Sequence, residues 1–157
     1  MHENAKRLDT FYTAFARREA DCMAAMYAED AIFSDPVFPE LRGAQIGWMW
    51  HMLCHRGKDL ALHHELLEVS DTGGRVRWEA RYTFGATGRK VHNQIDASFA
   101  FRDGLIVRHV DDFDFWRWSA QALGVPGKMF GWNRFLRNKV SAQALRGLET
   151  YTARMES

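Results

Sequence analysis

Phe101-Arg102-Asp103-Gly104-Leu105-Ile106-Val107-Arg108-His109-Val110-Asp111-Asp112-Phe113-Asp114 (residues 101–114) is the stretch that decides the fold. Asp103-Gly104 is a tight-turn dipeptide between two apolar runs, so the stretch reads as one strand ending, a hairpin, and the next strand leaving. Before the turn, Asn93, Ile95, Ala97, Phe99 and Phe101 share one parity and His92, Gln94, Asp96 and Ser98 the other, which predicts one core face and one wet face. After it, Leu105, Val107, His109, Asp111, Phe113 and Phe115 fall together. Extended runs over 60–70, 75–87, 90–102 and 105–116 are separated by Asp71-Thr72-Gly73-Gly74, Gly88-Arg89 and Asp103-Gly104, and so predict an antiparallel meander.

Upstream the period changes from two to nearly four. Residues 4–19 carry Leu8, Phe11, Tyr12 and Phe15 on one helical stripe. A short second helix follows Asp21, its apolar positions Met23, Met26 and Tyr27, and ends at Glu29-Asp30. Ala31 to Asp35 reads as a brief strand stopped by Pro36, followed by a loop to Gly43. The dense apolar run from Ala44 to Arg56 predicts a buried third helix. Past Trp116 and Trp118, which close the last strand, Ser119–Leu123 predicts a helical turn and Gly124-Val125-Pro126-Gly127 a break. Residues 133–152 then predict a closing helix with Phe135, Leu136, Val140, Ala144, Leu148 and Tyr151 as its stripe. Helices, then strands, then a terminal helix describe an α+β fold.

The 157 residues, 46% hydrophobic and 26% charged, match one domain with a sizeable core. Lysine and arginine number 21 against 20 acids and form no run, which argues against a nucleic-acid partner. No window approaches about 18 uninterrupted apolar residues, and residues 1–6 open polar; the expectation is a soluble, unprocessed chain with no membrane partner. Cys22 and Cys54 are too few for a disulfide framework and read as thiols in a reducing cytoplasm. Aromatic residues make up 13%, with six tryptophans and eleven phenylalanines, more than folding demands, so some of them are expected to line a ring-sized cavity.

Two acids sit where the pattern expects core. Asp35 ends an apolar strand, and Asp111 shares a face with Val107, Phe113 and Phe115. A carboxylate among aromatic side chains is desolvated, which moves its pKa toward working pH as a general base requires. The competing readings are a turn cap before Pro36 for Asp35 and a solvated rim with Asp112 and Asp114 for Asp111. His109, two residues before Asp111 on the same strand face, suits a proton partner or a structural histidine. Asn93 could polarise a carbonyl or close an Asx turn. His51 and His55, four apart on a helix around Cys54, and the adjacent His63 and His64 lack the third and fourth convergent ligands of a metal site, so no metal is expected. There is no phosphate-cradling glycine loop, serine elbow or paired-cysteine motif, and the chemistry is expected to need no cofactor.

The order of elements, with Ala28-Glu29-Asp30-Ala31-Ile32-Phe33-Ser34-Asp35-Pro36-Val37-Phe38-Pro39-Glu40-Leu41-Arg42-Gly43 (28–43) and the 101–114 stretch, resembles the nuclear-transport-factor-2-like superfamily in its SnoaL-like polyketide cyclase and ketosteroid isomerase branch. The resemblance covers residues 5–118. It implies a domain over 1–118 and a helical extension over 119–157 packed on it. The implied fold is a cone-shaped roll: a curved, mixed but mostly antiparallel sheet around three N-terminal helices, with a deep apolar pocket and an extra C-terminal helix. By that resemblance Asp35 falls where ketosteroid isomerases keep the base, in the same Asp-Pro-Val setting. Their oxyanion tyrosine falls at Phe11, beside Tyr12. Their neutral acid falls by letters at Asp96 and by parity at Ala97, and parity is the stronger guide. Against limonene epoxide hydrolases, Asp111 takes the place of one triad acid, while the arginine and second aspartate fall near Trp78 and Ala80, and the water-holding asparagine and tyrosine at Asp35 and Phe33. Polyketide cyclases of this fold are similar in using one aspartate on the final strand, the position of Asp111.

The resemblance therefore implies a cofactor-independent acid–base enzyme, an isomerase, cyclase or hydrolase, for a small apolar polyketide-, terpenoid- or steroid-like molecule. Asp35, Asp111 and His109 would be catalytic, and Phe33, Trp50, Trp78, Tyr82, Asn93, Phe113 and Tyr12 would bind substrate. It also implies a homodimer through the outer sheet face, where Arg77, Glu79 and Arg81 point outward. The alternative is a non-catalytic ligand-binding or dimeric assembly module of the same fold.

Overall fold

Leu8, Phe11, Tyr12 and Phe15 recur at intervals of three and four, and the first helix, α1 (Glu3–Ala16), buries all four against the inside of a sheet. In the computed structural model, which describes residues 2–157, α1 is followed by α2 (Ala20–Ala24), β1 (Tyr27–Ser34), β2 (Leu41–Arg42) and α3 (Ala44–Arg56). The meander is β3 (Ala61–Val69), β4 (Gly73–Phe84), β5 (Arg89–Arg102) and β6 (Leu105–Asp112). Helices α4 (Phe115–Leu123), α5 (Val125–Phe130) and α6 (Arg134–Glu156) complete the chain.

The strands form one curled sheet in the order β2-β1-β6-β5-β4-β3. All neighbours are antiparallel except β1 and β6, so the sheet is mixed and the fold is the expected α+β roll. Parity governs β5 as the sequence predicts. Ile95, Ala97, Phe99 and Phe101 are buried, while Asp96 stands on the outer face and pairs with Arg77 at 3.3 Å. A one-residue slip would have carried that whole apolar set into water.

Several expectations are corrected by long-range contacts. The second helix stops at Ala24, and Tyr27 to Asp30 already belong to β1, because the backbone N–H of Ile106 donates to the Met26 carbonyl at 2.9 Å and holds the chain extended beside β6. A shift of register between β5 and β6 buries Ile106 fully and leaves Leu105 at 39% exposure. Trp116 and Trp118 lie in α4 instead of the last strand, since the Asp114 carboxylate accepts from the Arg117 N–H at 3.1 Å and caps a helix there. Pro126 falls in the first turn of α5, where a missing N–H costs nothing, so the break shrinks to Gly124 at φ +74°. Phe135 leaves the predicted stripe of α6 and is 77% exposed, whereas Leu148 is buried. Tyr151 of α6 meets Trp48 of α3 edge-on at 6.5 Å.

One large core fills the inside of the roll. A smaller one, Val91, Phe115, Trp118 and Ala122, lies under α4. Val37, Tyr82 and Phe113 pack against both and mark the seam between them. Helix α5 seats on α4 because Gly127 brings its backbone onto the Ser119 carbonyl. Gly127→Ala is expected to push α5 off α4 and cost about 1–3 kcal/mol, as misfit at a packed contact does. Thermal unfolding checks it, and an unchanged midpoint would refute the close contact.

Candidate active site

The residues that meet inside the roll come from five elements. His109 sits on β6 with no exposed surface, surrounded by the rings of Phe11 (α1), Tyr27 and Phe33 (β1), Trp50 (α3) and Phe99 (β5), with centroids 4.0–6.1 Å away. A buried imidazole must have both nitrogens satisfied. Tyr27 Oη lies 2.7 Å from Nδ1, and Asp111 Oδ1 lies 2.8 Å from Nε2.

The donors fix where the protons stand. Trp50 Nε1–H, which can only donate, reaches Tyr27 Oη at 3.0 Å, leaving the Tyr27 hydroxyl proton for His109 Nδ1. Nε2 then carries the imidazole proton and donates it to Asp111. Trp78 Nε1–H donates to the same Oδ1 at 3.3 Å. The result is a continuous chain, Trp50 to Tyr27 to His109 to Asp111, met from the far side by Trp78. Each donor along this chain has one acceptor.

Asp111 is 4% exposed, so the solvated-rim reading does not hold for it, although its neighbours Asp112 and Asp114 are exposed. No hydrogen bond reaches its Oδ2 among the described residues. Close by is Tyr12, whose hydroxyl is the only fully buried side-chain polar atom without a partner among the described residues. Burial, with the Asp111 charge adding to it, raises the Tyr12 hydroxyl well above the ordinary tyrosine value, so it remains a donor at working pH. Its ring stacks on His64 at 5.1 Å, and His64 is held by Asp9 at 2.8 Å.

Asp35 follows β1. Its Oδ1 accepts from the N–H groups of Val37 at 2.7 Å and Phe38 at 2.6 Å, so the turn-cap reading holds for that oxygen. Burial nevertheless pushes its carboxyl from 3.8 to about 7, with the Asp111 charge adding to the rise and the two amides and Arg137 opposing it. Tyr82 donates nothing to it but is raised in turn, by burial first and by Asp35 last, and its hydroxyl accepts from Trp118 Nε1–H at 2.9 Å. Asp35 and Asp111 are therefore electrostatically coupled inside one interior.

Of the residues read as binding groups, Phe33, Trp50, Trp78 and Tyr12 gather around the His109–Asp111 pair, while Tyr82 and Phe113 lie at the seam under α4. Asn93 is half-buried on the inward parity of β5, opposite Ala80. Two clefts open on the outer side of the sheet: one of about 840 Å³, lined mainly by His63, Glu65, Arg77, Glu79, Asp96 and Asp112, and one of about 350 Å³ beside α4, lined by Asp59, Arg81, Tyr82 and Lys90. Neither includes Asp35, Asp111 or Tyr12, and core side chains fill the roll where a deep apolar pocket is expected. His51 is bonded to Asp21, and His63 and His64 point to opposite faces as alternation requires. The sequence reading of the site lacks Tyr27, and names His64 only as a metal ligand set aside. Tyr27 was placed on an apolar helical stripe, where its hydroxyl, needing a buried partner, was the available signal.

These elements and this site define a small α+β roll with an acid-bearing aromatic interior. A family model for the SnoaL-like domain matches residues 8–109, and the chain belongs to that family, within the NTF2-like superfamily. No protein with a curated description matches the sequence. Among solved structures, the chain is similar to an LEH-like epoxide hydrolase of M. tuberculosis, at 16% identity over 77% of this chain and 90% of that one, TM-score 0.62. It is also similar to IdmH of Streptomyces antibioticus, a proposed polyketide cyclase, at 23% identity over 79% and 100%, TM-score 0.61. A ketosteroid isomerase-like protein from Erwinia carotovora atroseptica is similar at 21% identity over 68% and 89%, TM-score 0.54. At these identities the likeness establishes the fold. None of the helices of the described residues is long and apolar enough to cross a membrane.

The raised Asp35 carboxyl has a thermodynamic consequence. Between pH 4 and 7 the folded chain holds a proton that the unfolded chain, titrating near 3.8, has already shed. This contribution to stability is therefore greatest below about pH 4 and is lost as pH rises through 7. Asp35→Asn keeps an oxygen for the Val37 and Phe38 amides, and is expected to flatten that fall. Unfolding midpoints measured from pH 4 to 8 check it; parallel profiles for the two proteins would refute the shift.

Proposed function

We propose that this chain is a cofactor-independent acid–base enzyme acting on a small, largely apolar ring or carbonyl compound of polyketide, terpenoid or steroid type. The observation that carries the reading is the free Oδ2 of buried Asp111 together with the unpartnered Tyr12 hydroxyl, which lies within reach of the Asp111 charge. A buried donor without a partner costs roughly 1–3 kcal/mol, a cost that a purely structural interior would shed.

In this reading Asp111 Oδ2 takes a proton from the carbon next to a substrate carbonyl. The electron pair moves onto the carbonyl oxygen, and the Tyr12 O–H donates to the charge that develops there. Asp35, about half protonated near pH 7, returns a proton to the product. His109 acts through Asp111: both its nitrogens are engaged, so it is a positioning residue that holds the carboxylate aimed. Trp78, whose N–H holds Asp111, supplies an apolar wall for a ring, with Phe113 and Tyr82 at the seam of the two cores. A homodimer through the outer face of β4 and β5, where Arg77 pairs with Asp96 and Glu79 with His92, belongs to the same proposal.

Incubation in D₂O with a panel of cyclic ketones from the three substrate classes, read by NMR for exchange next to the carbonyl, tests it. Asp111→Asn is expected to lower exchange by about a hundredfold or more with the fold retained. Tyr12→Phe should lower it by about tenfold or more while making the protein more stable by about 1 kcal/mol, since the lost hydroxyl bonded to nothing. Exchange should fall as pH rises past about 7, where Asp35 loses its proton. Ligands that raise the melting temperature without any exchange would assign the chain to the non-catalytic binding class instead.

A further inference from the structure

From Phe115 to Leu148 the chain contains no aspartate or glutamate and six cationic side chains: Arg117, Lys128, Arg134, Arg137, Lys139 and Arg146. The remainder of the chain thus carries 15 cations against 20 acids. The same segment holds seven of the ten large hydrophobic residues that are exposed: Trp116, Val125, Met129, Phe130, Trp132, Phe135 and Leu145. Trp132 is 65% exposed and Phe135 77%.

These side chains sit on a built surface. Trp116 Nε1–H donates to the Lys128 carbonyl at 3.0 Å, and Trp132 Nε1–H to the Met129 carbonyl at 2.9 Å. Ser119 Oγ–H donates to the Trp116 carbonyl at 3.0 Å, and Gly131 lies against the Trp116 ring. With both indole N–H groups satisfied by the protein's own backbone, what the two rings offer outward is apolar surface. An apolar patch rimmed by charge of one sign marks an interaction surface.

We infer that the α4–α6 segment docks on a membrane surface rich in anionic lipid, its aromatic and methionine side chains entering the headgroup boundary and its cations meeting the phosphates. Tryptophan and phenylalanine flanked by Lys and Arg without acids is the composition of an interfacial helix, which needs no membrane-crossing length. A second copy seated on the same patch would set Arg117, Lys128 and Arg134 against their own counterparts, a like-charge contact. This inference stands apart from the chemistry assigned to Asp111.

Co-sedimentation of the full chain with vesicles of phosphatidylcholine, and of phosphatidylcholine with roughly 30% phosphatidylglycerol, tests it. Binding is expected only to the anionic vesicles, with a blue shift of tryptophan emission. The double variant Trp132→Ala/Phe135→Ala is expected to weaken that binding by about tenfold or more, with an unchanged circular dichroism spectrum because both side chains are exposed. Lys128→Glu/Arg134→Glu should weaken it comparably through charge alone. No binding to anionic vesicles would overturn the inference, as would binding indifferent to both variants. So would a dimer in solution that Trp132→Ala/Phe135→Ala dissolves, or tighter binding to a single-stranded oligonucleotide than to the vesicles.

Discussion

A carboxyl group inside an aromatic core has to be matched by hydrogen-bond partners, and the pairing of Asp111 with His109 and Trp78 is the constraint on which the rest of this interior depends. Each donor recruited there brings a further demand. His109 needs a partner at Nδ1 and takes it from Tyr27; Tyr27 then receives the Trp50 N–H. One acid on β6 thereby dictates what stands at particular positions of β1, β4 and α3. Truncating any member leaves a buried polar group unpaired, at roughly 1–3 kcal/mol each. The packing of Phe11, Phe33 and Phe99 around the imidazole keeps water from substituting for a missing partner.

The same charge sets the behaviour of its surroundings. Asp111 adds to the rise of both the Asp35 carboxyl and the Tyr12 hydroxyl, though burial is the larger cause for each. Of the two carboxyls in this interior, Asp111 accepts hydrogen bonds from two side-chain donors, and Asp35 is raised to about 7. The Tyr12 hydroxyl is the place where the interior is not optimised for stability, and a functional site is where such a local violation is expected.

Outside the roll, the C-terminal helices follow different physics. Their contact with the roll is made through few buried residues, notably Phe115, Trp118, Ala122 and Leu148. Glycines at 127 and 131 let α5 approach α4 closely, which turns its larger side chains outward. The charge of the segment is segregated from the rest of the chain, a distribution that a near-zero net charge conceals.

Most of the fold could be read from the sequence because it rests on local pattern. The alternation of β5, the Asp103-Gly104 hairpin, the α1 stripe and the dense run of α3 act over a few residues, and parity correctly turned Asp96 outward and placed Ala97 inside. Where the reading failed, a distant contact had overruled a local preference: β6 extended Tyr27, and the β5–β6 register shift buried Ile106 in place of Leu105. Asp35, Asp111, His109 and Tyr12 were recognisable as candidates because polar groups stood in an apolar pattern. The sequence by itself determined which faces are apolar, where the chain turns, and that acids enter the core. Only the tertiary structure decided which donors reach them, that one oxygen of Asp35 is spent on a turn, and that Tyr12 is left unpaired. Hydrogen-bond partners are chosen by three-dimensional proximity across strands and helices far apart in the chain, and no local periodicity encodes that choice.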